Sequence, residues 1–171
     1  MDLLSTRREV LAFLDQHAIP YEYYEHDRAH SIEACLQMPF ITEDVTICRN
    51  IFLCNDRKTN YFLLLLRPLT PFRTSVVSKK LGSSRLSFGP VETMEEKMHL
   101  TSGSVSPLGL LFDQEHTIKL AYESAVRRTP RIAFHPCDNA ATIIFAQDVF
   151  WDQVVPALGI VPSCIDLLEN N

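Results

Sequence analysis

The sequence predicts a mixed α/β (α+β) domain rather than a doubly wound parallel sheet. About seven short strand patterns alternate with about five helical patterns, and several neighbouring strands are joined by turns of hairpin length. The chain has 171 residues, of which 46% are hydrophobic and 22% are charged, as in an ordinary globular domain with one core. Neither an internal repeat nor a linker is evident. We therefore expect residues 1–171 to form a single domain.

The N-terminal half alternates helix and strand. Thr6 and Glu9 have the spacing of a capping box, which predicts a helix that begins at Thr6 and ends before Pro20. Aromatic residues then predict a strand, and Ser31 is placed to cap a short helix. Two apolar runs joined by a polar turn predict a β-hairpin. These elements span residues 6–19, 21–26, 31–38, 45–54 and 61–67.

The C-terminal half continues this alternation. A helical pattern ends before Gly82, which is placed as the first residue after a helix, and a brief strand and an acidic amphipathic helix follow. Three further strands and a closing helix complete the pattern. These elements span residues 73–81, 85–88, 91–99, 117–122, 131–134, 141–146 and 148–158. In the tail, the apolar residues Ile165, Leu167 and Leu168 are expected to dock on the core.

Charge is divided unevenly along the chain. The net charge of −5 excludes a protein that holds nucleic acid non-specifically through bulk positive charge. However, residues 57–91 include seven basic residues and no Asp or Glu, so this segment carries +7 and the remainder carries −12. One face of an acidic molecule can therefore attract a polyanion, although a solvated helix face is the simpler interpretation.

Targeting and cysteine patterns predict a cytoplasmic protein. Charged residues interrupt the N-terminal apolar positions, unlike those of a signal peptide, and no stretch reaches the ~18 apolar residues that a membrane span needs. The five cysteines lack CxxC spacing and indicate neither a disulfide framework nor a zinc knuckle. We therefore expect no membrane partner and no cofactor.

Metal and thiolate patterns are weak. His26 and His30 have the spacing of a helical metal pair, but they follow a strand pattern and lack the general base of an HExxH motif. Cys137 lies two residues from His135, but neighbouring residues of a strand or turn point apart. We expect no metal site and inert thiols.

The sequence also contains the elements of a serine-hydrolase triad. Ser104 and Ser106 precede His135 and Asp138, but GSVSP is not the GxSxG motif. Pro107 stands where the motif needs an amide N–H for the oxyanion. A serine nucleophile is therefore not favoured.

A constellation without a nucleophile remains. It comprises the strand residues Arg49 and Asn50, a loop rich in Gly, Ser and Pro at residues 103–107, and a turn that contains Phe134 and His135. Each feature alone is ordinary, since a strand arginine, a turn and a histidine before proline are common structural elements. Their joint occurrence carries the information.

Several segments that cover nearly the whole chain match a known family in order. They are EHDRAHSIEA, CRNIFLCNDRKTNYFLLLL, SKKLGSSRLSFGP, LTSGSVSPLGLLFD and FHPCDNAATIIF. The chain thereby resembles the YbaK/ProX/PrdX family of trans-editing aminoacyl-tRNA deacylases, relatives of the editing domain inserted in bacterial prolyl-tRNA synthetase. The GSVSPLGL loop followed by FHPCDNAAT looks more like the PrdX branch, associated with alanyl-tRNA(Pro), than the YbaK branch, associated with cysteinyl-tRNA(Pro).

The resemblance implies a fold and a pocket. The implied fold is a mixed, mostly antiparallel and partly barrel-like sheet flanked by helices. The implied catalytic residues are Arg49, Gly103, Ser104 and His135. The implied substrate-binding residues are His30, Ile32, Asn50, Val105, Ser106, Pro107, Phe134 and Asn139. The implied tRNA contacts, near the acceptor stem, are Lys79, Lys80 and Arg85.

Arg49 departs from the family pattern. The family usually has a lysine at this position, which is thought to hold the 3′-terminal adenosine and its linkage. Arginine keeps the positive charge but is longer and presents a planar fork of donors, so the exchange is not neutral. It alters either the activity or the shape of the pocket.

The implied reaction is hydrolysis of the ester bond of mischarged tRNA, in particular alanyl-tRNA(Pro). An activated ester needs a positioned water, stabilisation of the oxyanion and proton transfer, for which the neighbouring ribose hydroxyl suffices. The amides of residues 103–106 are candidates for the oxyanion, Arg49 for phosphate or ribose, and His135 for the ammonium group or the water. A pocket walled by His30, Ile32 and Phe134 would exclude proline by steric clash.

Two other functional classes stay open. One is a non-catalytic module that binds aminoacyl-tRNA or a synthetase, and the other is a metal- or nucleophile-dependent hydrolase of a different ester. Cysteinyl-tRNA(Pro) and seryl-tRNA are alternative substrates. The expected partners are the acceptor end of mischarged tRNA(Pro) and prolyl-tRNA synthetase, and both a monomer and a homodimer are compatible with the sequence.

Overall fold

Two mixed β-sheets form the framework of the fold. The structure, a computed structural model, describes residues 2–167. Its strands are β1 Glu22–Glu25, β2 Val45–Ile47, β3 Arg49–Asn55, β4 Tyr61–Leu66, β5 Leu86–Phe88, β6 Ile118–Glu123, β7 Arg131–Phe134, β8 Ala141–Ala146 and β9 Ser163–Ile165. Its helices are α1 Leu3–Gln16, α2 Ile32–Leu36, α3 Thr74–Lys80, α4 Val91–Met98 and the closing helix α5, which comprises Gln147–Val149, a π-helical segment Phe150–Val154, and Val155–Ala157.

The strand order confirms the mixed α/β class and corrects the barrel-like expectation. The four-stranded sheet has the order β1-β8-β7-β2, and the five-stranded sheet has the order β5-β3-β4-β6-β9. Both sheets combine antiparallel pairs with parallel ones, such as β2 with β7 and β4 with β6. Within residues 2–167 no strand pair joins the two sheets, so they remain open and do not close into a barrel.

One predicted strand is divided between the sheets. The apolar run 45–54 forms first β2, which pairs with β7, and then β3, which pairs with β4. At the break, the Cys48 N–H donates a hydrogen bond to the Ala133 carbonyl (3.4 Å), and Arg49 begins the second strand. A continuous apolar pattern does not show where a chain changes its pairing partner, so the prediction of one strand here is wrong.

Helix α1 begins earlier than predicted. The Asp2 carboxylate accepts a hydrogen bond from the Leu4 N–H (3.1 Å), which caps a helix that starts at Leu3. Thr6 lies inside the helix, where its hydroxyl donates to the Asp2 carbonyl (3.2 Å). The expected capping box at Thr6 is therefore wrong, because a better cap stands one turn upstream.

The other predicted caps are confirmed. The Ser31 hydroxyl accepts a hydrogen bond from the Ala34 N–H (3.1 Å) at the start of α2. Gly82 follows α3 with φ of +65°, a left-handed conformation that favours glycine. Among the described helices, none is long and apolar enough to cross a membrane.

Three apolar clusters hold the layers together. The largest lies between the sheets and includes Phe52, Leu63 and Phe134, with α1, α4 and α5 packed around it. A second cluster covers the outer face of the five-stranded sheet with Val77 of α3, and a third covers the outer face of the other sheet with Cys35 of α2. Burial of each large apolar side chain contributes about 1.5–3 kcal/mol.

The tail docks on the core as a strand. β9 pairs in parallel with β6, Ile165 is buried in the second cluster, and Leu167 packs against that cluster. The predicted docking is confirmed for these two residues, whereas Leu168 lies outside the described residues.

Candidate active site

A cavity of about 200 Å³ opens where β3 begins and β7 ends. The segment that leads into α2, the junction of β2 with β3, and the loop after α4 supply its walls. The structure thus brings together most of the predicted site residues, namely His30, Ile32, Arg49, Asn50, Gly103, Val105, Phe134 and His135.

The remaining predicted catalytic and substrate-binding residues are buried and do not line the cavity; they are Ser104, Ser106, Pro107 and Asn139. The loop predicted as irregular contains two 3₁₀ turns, Ser102–Ser104 and Pro107–Phe112. The Ser104 hydroxyl accepts a hydrogen bond from the Thr101 N–H (3.1 Å), and the Ser106 hydroxyl accepts one from the Leu108 N–H (3.2 Å). Both hydroxyls therefore fix the loop instead of facing a substrate.

Asn139 supports the wall that carries His30. The Asn139 amide Nδ2 donates to the Ala29 carbonyl (2.9 Å), and Arg28 donates to the Asn139 Oδ1 (2.8 Å). Arg28 also pairs with the Asp138 carboxylate (2.7 Å). Asp138 is therefore engaged by an arginine, and the elements of a serine-hydrolase triad are not assembled.

His135 is held in one tautomer. Its Nδ1 lies 2.7 Å from the Ala141 carbonyl, so Nδ1 carries the proton and Nε2 presents a lone pair. Burial lowers the pKa of His135, and the Ala141 hydrogen bond opposes this effect only in part. The imidazole is therefore neutral at pH 7 and acts as a hydrogen-bond acceptor through Nε2.

Arg49 and Asn50 line the cavity, and each has one buried polar atom without a partner among the described residues. Arg49 donates through Nη2 to the Thr70 carbonyl (2.9 Å), and Asn50 donates through Nδ2 to the Val105 carbonyl (2.9 Å). The Arg49 Nε and the Asn50 Oδ1 are buried and have no hydrogen-bond partner within residues 2–167. Because buried polar groups are usually paired, this donor and this acceptor are suited to a polar ligand.

The residue-by-residue prediction missed Cys35. Its Sγ lies 3.6 Å from the His135 Nε2, and the thiol lines the cavity. Burial raises the pKa of the Cys35 thiol, so it is protonated and can donate to Nε2. Helical spacing was the available signal, because Cys35 follows Ile32 by three residues and shares its face of α2. Cys137 is fully buried and does not line the cavity.

The two histidines with helical metal spacing do not form a site. His26 contacts the Thr142 hydroxyl through Nε2 (2.8 Å), whereas His30 lies at the cavity. Within the described part of the chain, no group of three His, Cys, Asp or Glu side chains is placed to hold a metal ion.

The predicted tRNA contacts lie outside the cavity. Lys79, Lys80 and Arg85 are exposed, and Lys79 and Arg85 border an open cleft of about 540 Å³. The other side chains that line this cleft are serine and threonine hydroxyls, and the cleft shares no lining residue with the cavity. Cations with hydroxyl donors suit phosphate groups.

Comparison with known proteins identifies relatives of the whole chain. It is 27% identical over 164 residues to the prolyl-tRNA editing protein ProX of Acetoanaerobium sticklandii, covering 96% of this chain and 99% of that protein. It is 30% identical over 149 residues to the prolyl-tRNA synthetase associated domain-containing protein 1 of Mus musculus, covering 84% of this chain and 86% of that protein.

A solved structure shares the fold. The crystal structure of a candidate trans-editing enzyme for prolyl tRNA synthetase aligns with a TM-score of 0.71 at 13% identity, over 94% of this chain and 96% of that chain. At this level of identity the similarity shows the fold alone.

The family itself is established by sequence. The model of the aminoacyl-tRNA editing domain matches residues 26–150, a range that contains every residue lining the cavity. The family expected from the sequence motifs and the class of enzyme are thereby confirmed. The chain belongs to the aminoacyl-tRNA editing domain family and is a hydrolase of the deacylase type.

Proposed function

We propose that the protein removes the wrong amino acid from mischarged tRNA(Pro) in trans, with alanyl-tRNA(Pro) as its substrate. The observation that carries this proposal is the set of groups at the cavity: a neutral His135, the unpartnered Arg49 Nε and the unpartnered Asn50 Oδ1. The names of the relatives from Acetoanaerobium sticklandii and Mus musculus, which refer to prolyl-tRNA, support the choice of tRNA.

The proposed chemistry is attack by a water molecule on the ester carbonyl. Ser104 and Ser106 use their hydroxyls as caps, and the Cys35 thiol is protonated, so these residues do not supply a nucleophile. Water held by the His135 Nε2 attacks the carbonyl carbon, and the bond between that carbon and the ribose oxygen breaks. The neighbouring ribose hydroxyl relays the proton from the water to the departing ribose oxygen, which releases the free amino acid and the tRNA. Arg49 contacts the ribose or phosphate of the terminal nucleotide.

Amide N–H groups of the loop stabilise the oxyanion in this proposal. The Ser104 N–H already donates to the Thr101 carbonyl (2.9 Å), which removes it from the candidates. The amides of Gly103 and Val105, whose residues line the cavity, take this role.

Selection of alanine over proline is proposed to be steric. Ile32 and Phe134 form an apolar wall of the cavity, and His30 also lines the cavity. One or two extra methylene groups change binding by only about 1–3 kcal/mol in a yielding pocket, so exclusion of proline needs a wall that clashes with its ring.

The tRNA body is proposed to reach the cleft bordered by Lys79 and Arg85, with Lys80 adjacent. These cations give a modest attraction to the acceptor stem, while the acidic remainder limits non-specific RNA binding. We propose prolyl-tRNA synthetase as the partner that selects the tRNA. The cavity is compatible with both a monomer and a homodimer.

One observation favours a second candidate, a non-catalytic aminoacyl-tRNA-binding module. Arg49 replaces the lysine that the family usually has, and its guanidinium is bonded to the Thr70 carbonyl. Such a module would bind aminoacyl-tRNA through the same cavity without releasing the amino acid.

The decisive experiment is deacylation of alanyl-, cysteinyl-, seryl- and prolyl-tRNA by the wild type and by Arg49→Ala and His135→Ala. We expect the wild type to deacylate alanyl-tRNA(Pro) and to spare prolyl-tRNA(Pro), and both variants to be slower. Thermal unfolding checks that each variant is folded. A wild type that binds all four tRNAs and deacylates none supports the binding module instead, and sensitivity to a chelator supports a metal-dependent hydrolase.

A further inference from the structure

A buried carboxylate, that of Glu123, is connected to the cavity residue Arg49 through Thr70. Glu123 ends β6, and its side chain is fully buried. Its Oε1 accepts hydrogen bonds from the Arg67 Nε (3.0 Å) and Nη2 (2.8 Å), and its Oε2 accepts one from the Arg67 backbone N–H (3.0 Å). The Thr70 hydroxyl also donates to Oε2 (2.9 Å). Glu123 therefore fixes both ends of the turn formed by residues 67–70.

This turn holds the cavity arginine. The Thr70 carbonyl accepts a hydrogen bond from the Arg49 Nη2 (2.9 Å), and Thr70 is itself buried. A continuous path of hydrogen bonds thus runs from the Glu123 carboxylate through the Thr70 hydroxyl and the Thr70 backbone to the Arg49 guanidinium.

The path determines the direction of the unpartnered donor. A guanidinium is planar, so a bond at Nη2 restricts the position of Nε in the same plane. The Arg49 Nε is one of the two buried side-chain polar atoms that have no partner within residues 2–167. If the Thr70 carbonyl were displaced, the long Arg49 side chain would exchange among several rotamers.

The burial of Glu123 favours a positioning role over a purely stabilising one. The Glu123 carboxylate is fully buried and the Arg67 side chain is 38% exposed, so desolvation of the carboxylate offsets part of the attraction and the pair is weak evidence for stability. Such pairs are better attested as devices that fix one arrangement of neighbouring groups. Here the arrangement that is fixed is the turn beside Arg49.

We propose that Glu123 and Thr70 are positioning residues that aim Arg49 at the substrate. Neither residue lines the cavity, so both act through Arg49. The proposal rests on the role given to Arg49 in the proposed function.

Thr70→Val tests the path, because it removes the hydroxyl and keeps both the side-chain volume and the backbone carbonyl. We expect kcat/KM for alanyl-tRNA to fall on the order of 10-fold. The loss should appear in the same kinetic constant, either kcat or KM, that Arg49→Ala changes. Thr70→Ser, which restores a hydroxyl, should recover most of the activity.

A double-mutant cycle separates this role from general loss of stability. In the Arg49→Ala background, Thr70→Val should have no further effect on kcat/KM. An equal loss in both backgrounds, or full activity of Thr70→Val beside an impaired Arg49→Ala, would overturn the proposal.

The matched control is Thr117→Val. The Thr117 hydroxyl donates to the buried Asp113 carboxylate (2.8 Å) just before the other end of β6, and neither residue lines the cavity. This variant loses the same kind of bond, together with the hydrogen bond that the Thr117 hydroxyl accepts from the Lys97 Nζ (2.9 Å), and its kcat/KM should match the wild type. A loss of activity equal to that of Thr70→Val would attribute both effects to stability and overturn the proposal.

A readout independent of turnover distinguishes this inference from the proposed function. In NMR spectra of the arginine Nε–H groups, the Arg49 signal should report an ordered side chain in the wild type, in Thr70→Ser and in Thr117→Val, and a disordered one in Thr70→Val. An Arg49 side chain as ordered in Thr70→Val as in the wild type overturns the positioning role, whatever the enzyme hydrolyses.

Discussion

At the scale of single residues, the protonation state of His135 links structure to chemistry. The Ala141 carbonyl fixes the proton on Nδ1, and burial keeps the ring neutral. The Cys35 thiol lies 3.6 Å from Nε2 and donates to this acceptor. Water or an ammonium group must therefore displace the thiol from Nε2. This displacement costs little free energy, because a thiol is a weak hydrogen-bond donor.

This protonation state predicts the pH profile of the enzyme. Because the pKa of His135 is lowered below its ordinary value of about 6.5, kcat/KM should stay constant as the pH falls from about 8 to about 6.5 and should decline only at more acidic pH. Steady-state deacylation across this range measures the effect. An acidic limb centred at or above pH 6.5 contradicts the assignment of a neutral His135 as acceptor.

The same shift predicts how acid affects stability. Below about pH 6.5 the unfolded chain takes up a proton at His135 more readily than the folded chain, so the free energy of unfolding should fall as the pH drops and should level off below the lowered pKa. Urea unfolding at several pH values measures this loss. In His135→Asn the loss over the same pH range should be smaller, and an identical loss contradicts the cause.

Residues that line the cavity were predictable where the signal is local. Arg49, Asn50 and His135 stand at strand ends, and their types suggest polar roles whatever the surrounding fold. The hydroxyls of Ser104 and Ser106 were not predictable in the same way, because the capping of a 3₁₀ turn depends on backbone geometry that Gly, Ser and Pro all permit.

At the scale of elements, the loop that follows α4 is held by close packing. A Cβ on Gly109 would lie 2.8 Å from the Leu100 Cδ2 and 2.9 Å from the Met98 Cβ, closer than real Cβ atoms come. Glycine at this position therefore lets the second 3₁₀ turn pack against the end of α4. The first turn, which borders the cavity, also contacts α4.

Gly109→Ala should destabilise the protein by about 1–3 kcal/mol, because the added methyl overpacks this contact. The free energy of unfolding in urea measures the change. Gly82→Ala is the comparison. The added methyl group meets open space, but the backbone at this position has φ of +65°, so the variant should lose about 1–2 kcal/mol of stability through conformational strain. A Gly109→Ala variant as stable as the wild type contradicts the close packing.

Elements were predictable where their signals are local and not where they depend on distant partners. The caps at Ser31 and Gly82 could be predicted from neighbouring residues. The break at Cys48 could not, because it arises when β2 pairs with β7 and β3 pairs with β4, far apart in sequence. The pairing of β9 with β6 was missed for the same reason.

At the scale of the whole molecule, the predicted tRNA-contacting cations lie apart from the cavity. The cations of residues 57–91 include Lys79, Lys80 and Arg85, which are exposed around α3 and β5. The rest of the chain carries −12, which gives the whole chain its net charge of −5. An acidic protein whose cations Lys79 and Arg85 border one cleft can hold the end of a tRNA without retaining RNA in general.

Lys79→Ala with Lys80→Ala should raise KM for aminoacyl-tRNA and flatten its salt dependence. Each phosphate contact that is lost should reduce the slope of log(1/KM) against log salt by about 0.7–0.9. Deacylation kinetics at several salt concentrations measure the slope. Arg8→Ala with Arg128→Ala removes the same charge from two other exposed positions and should leave KM unchanged. An unchanged KM at low salt in the lysine variant contradicts this role for the basic surface.

The division of the cavity between two sheets has a consequence for how the enzyme can change. Arg49 and Asn50 belong to the five-stranded sheet, whereas Phe134 and His135 come from the end of a strand in the other sheet. The spacing between these walls is set by the apolar side chains packed between the sheets. The volume of the core between the sheets therefore determines the size of the amino acid that the cavity accepts. A substitution in this core, far from any substrate atom, changes the distance between the two walls and with it the amino acid that fits.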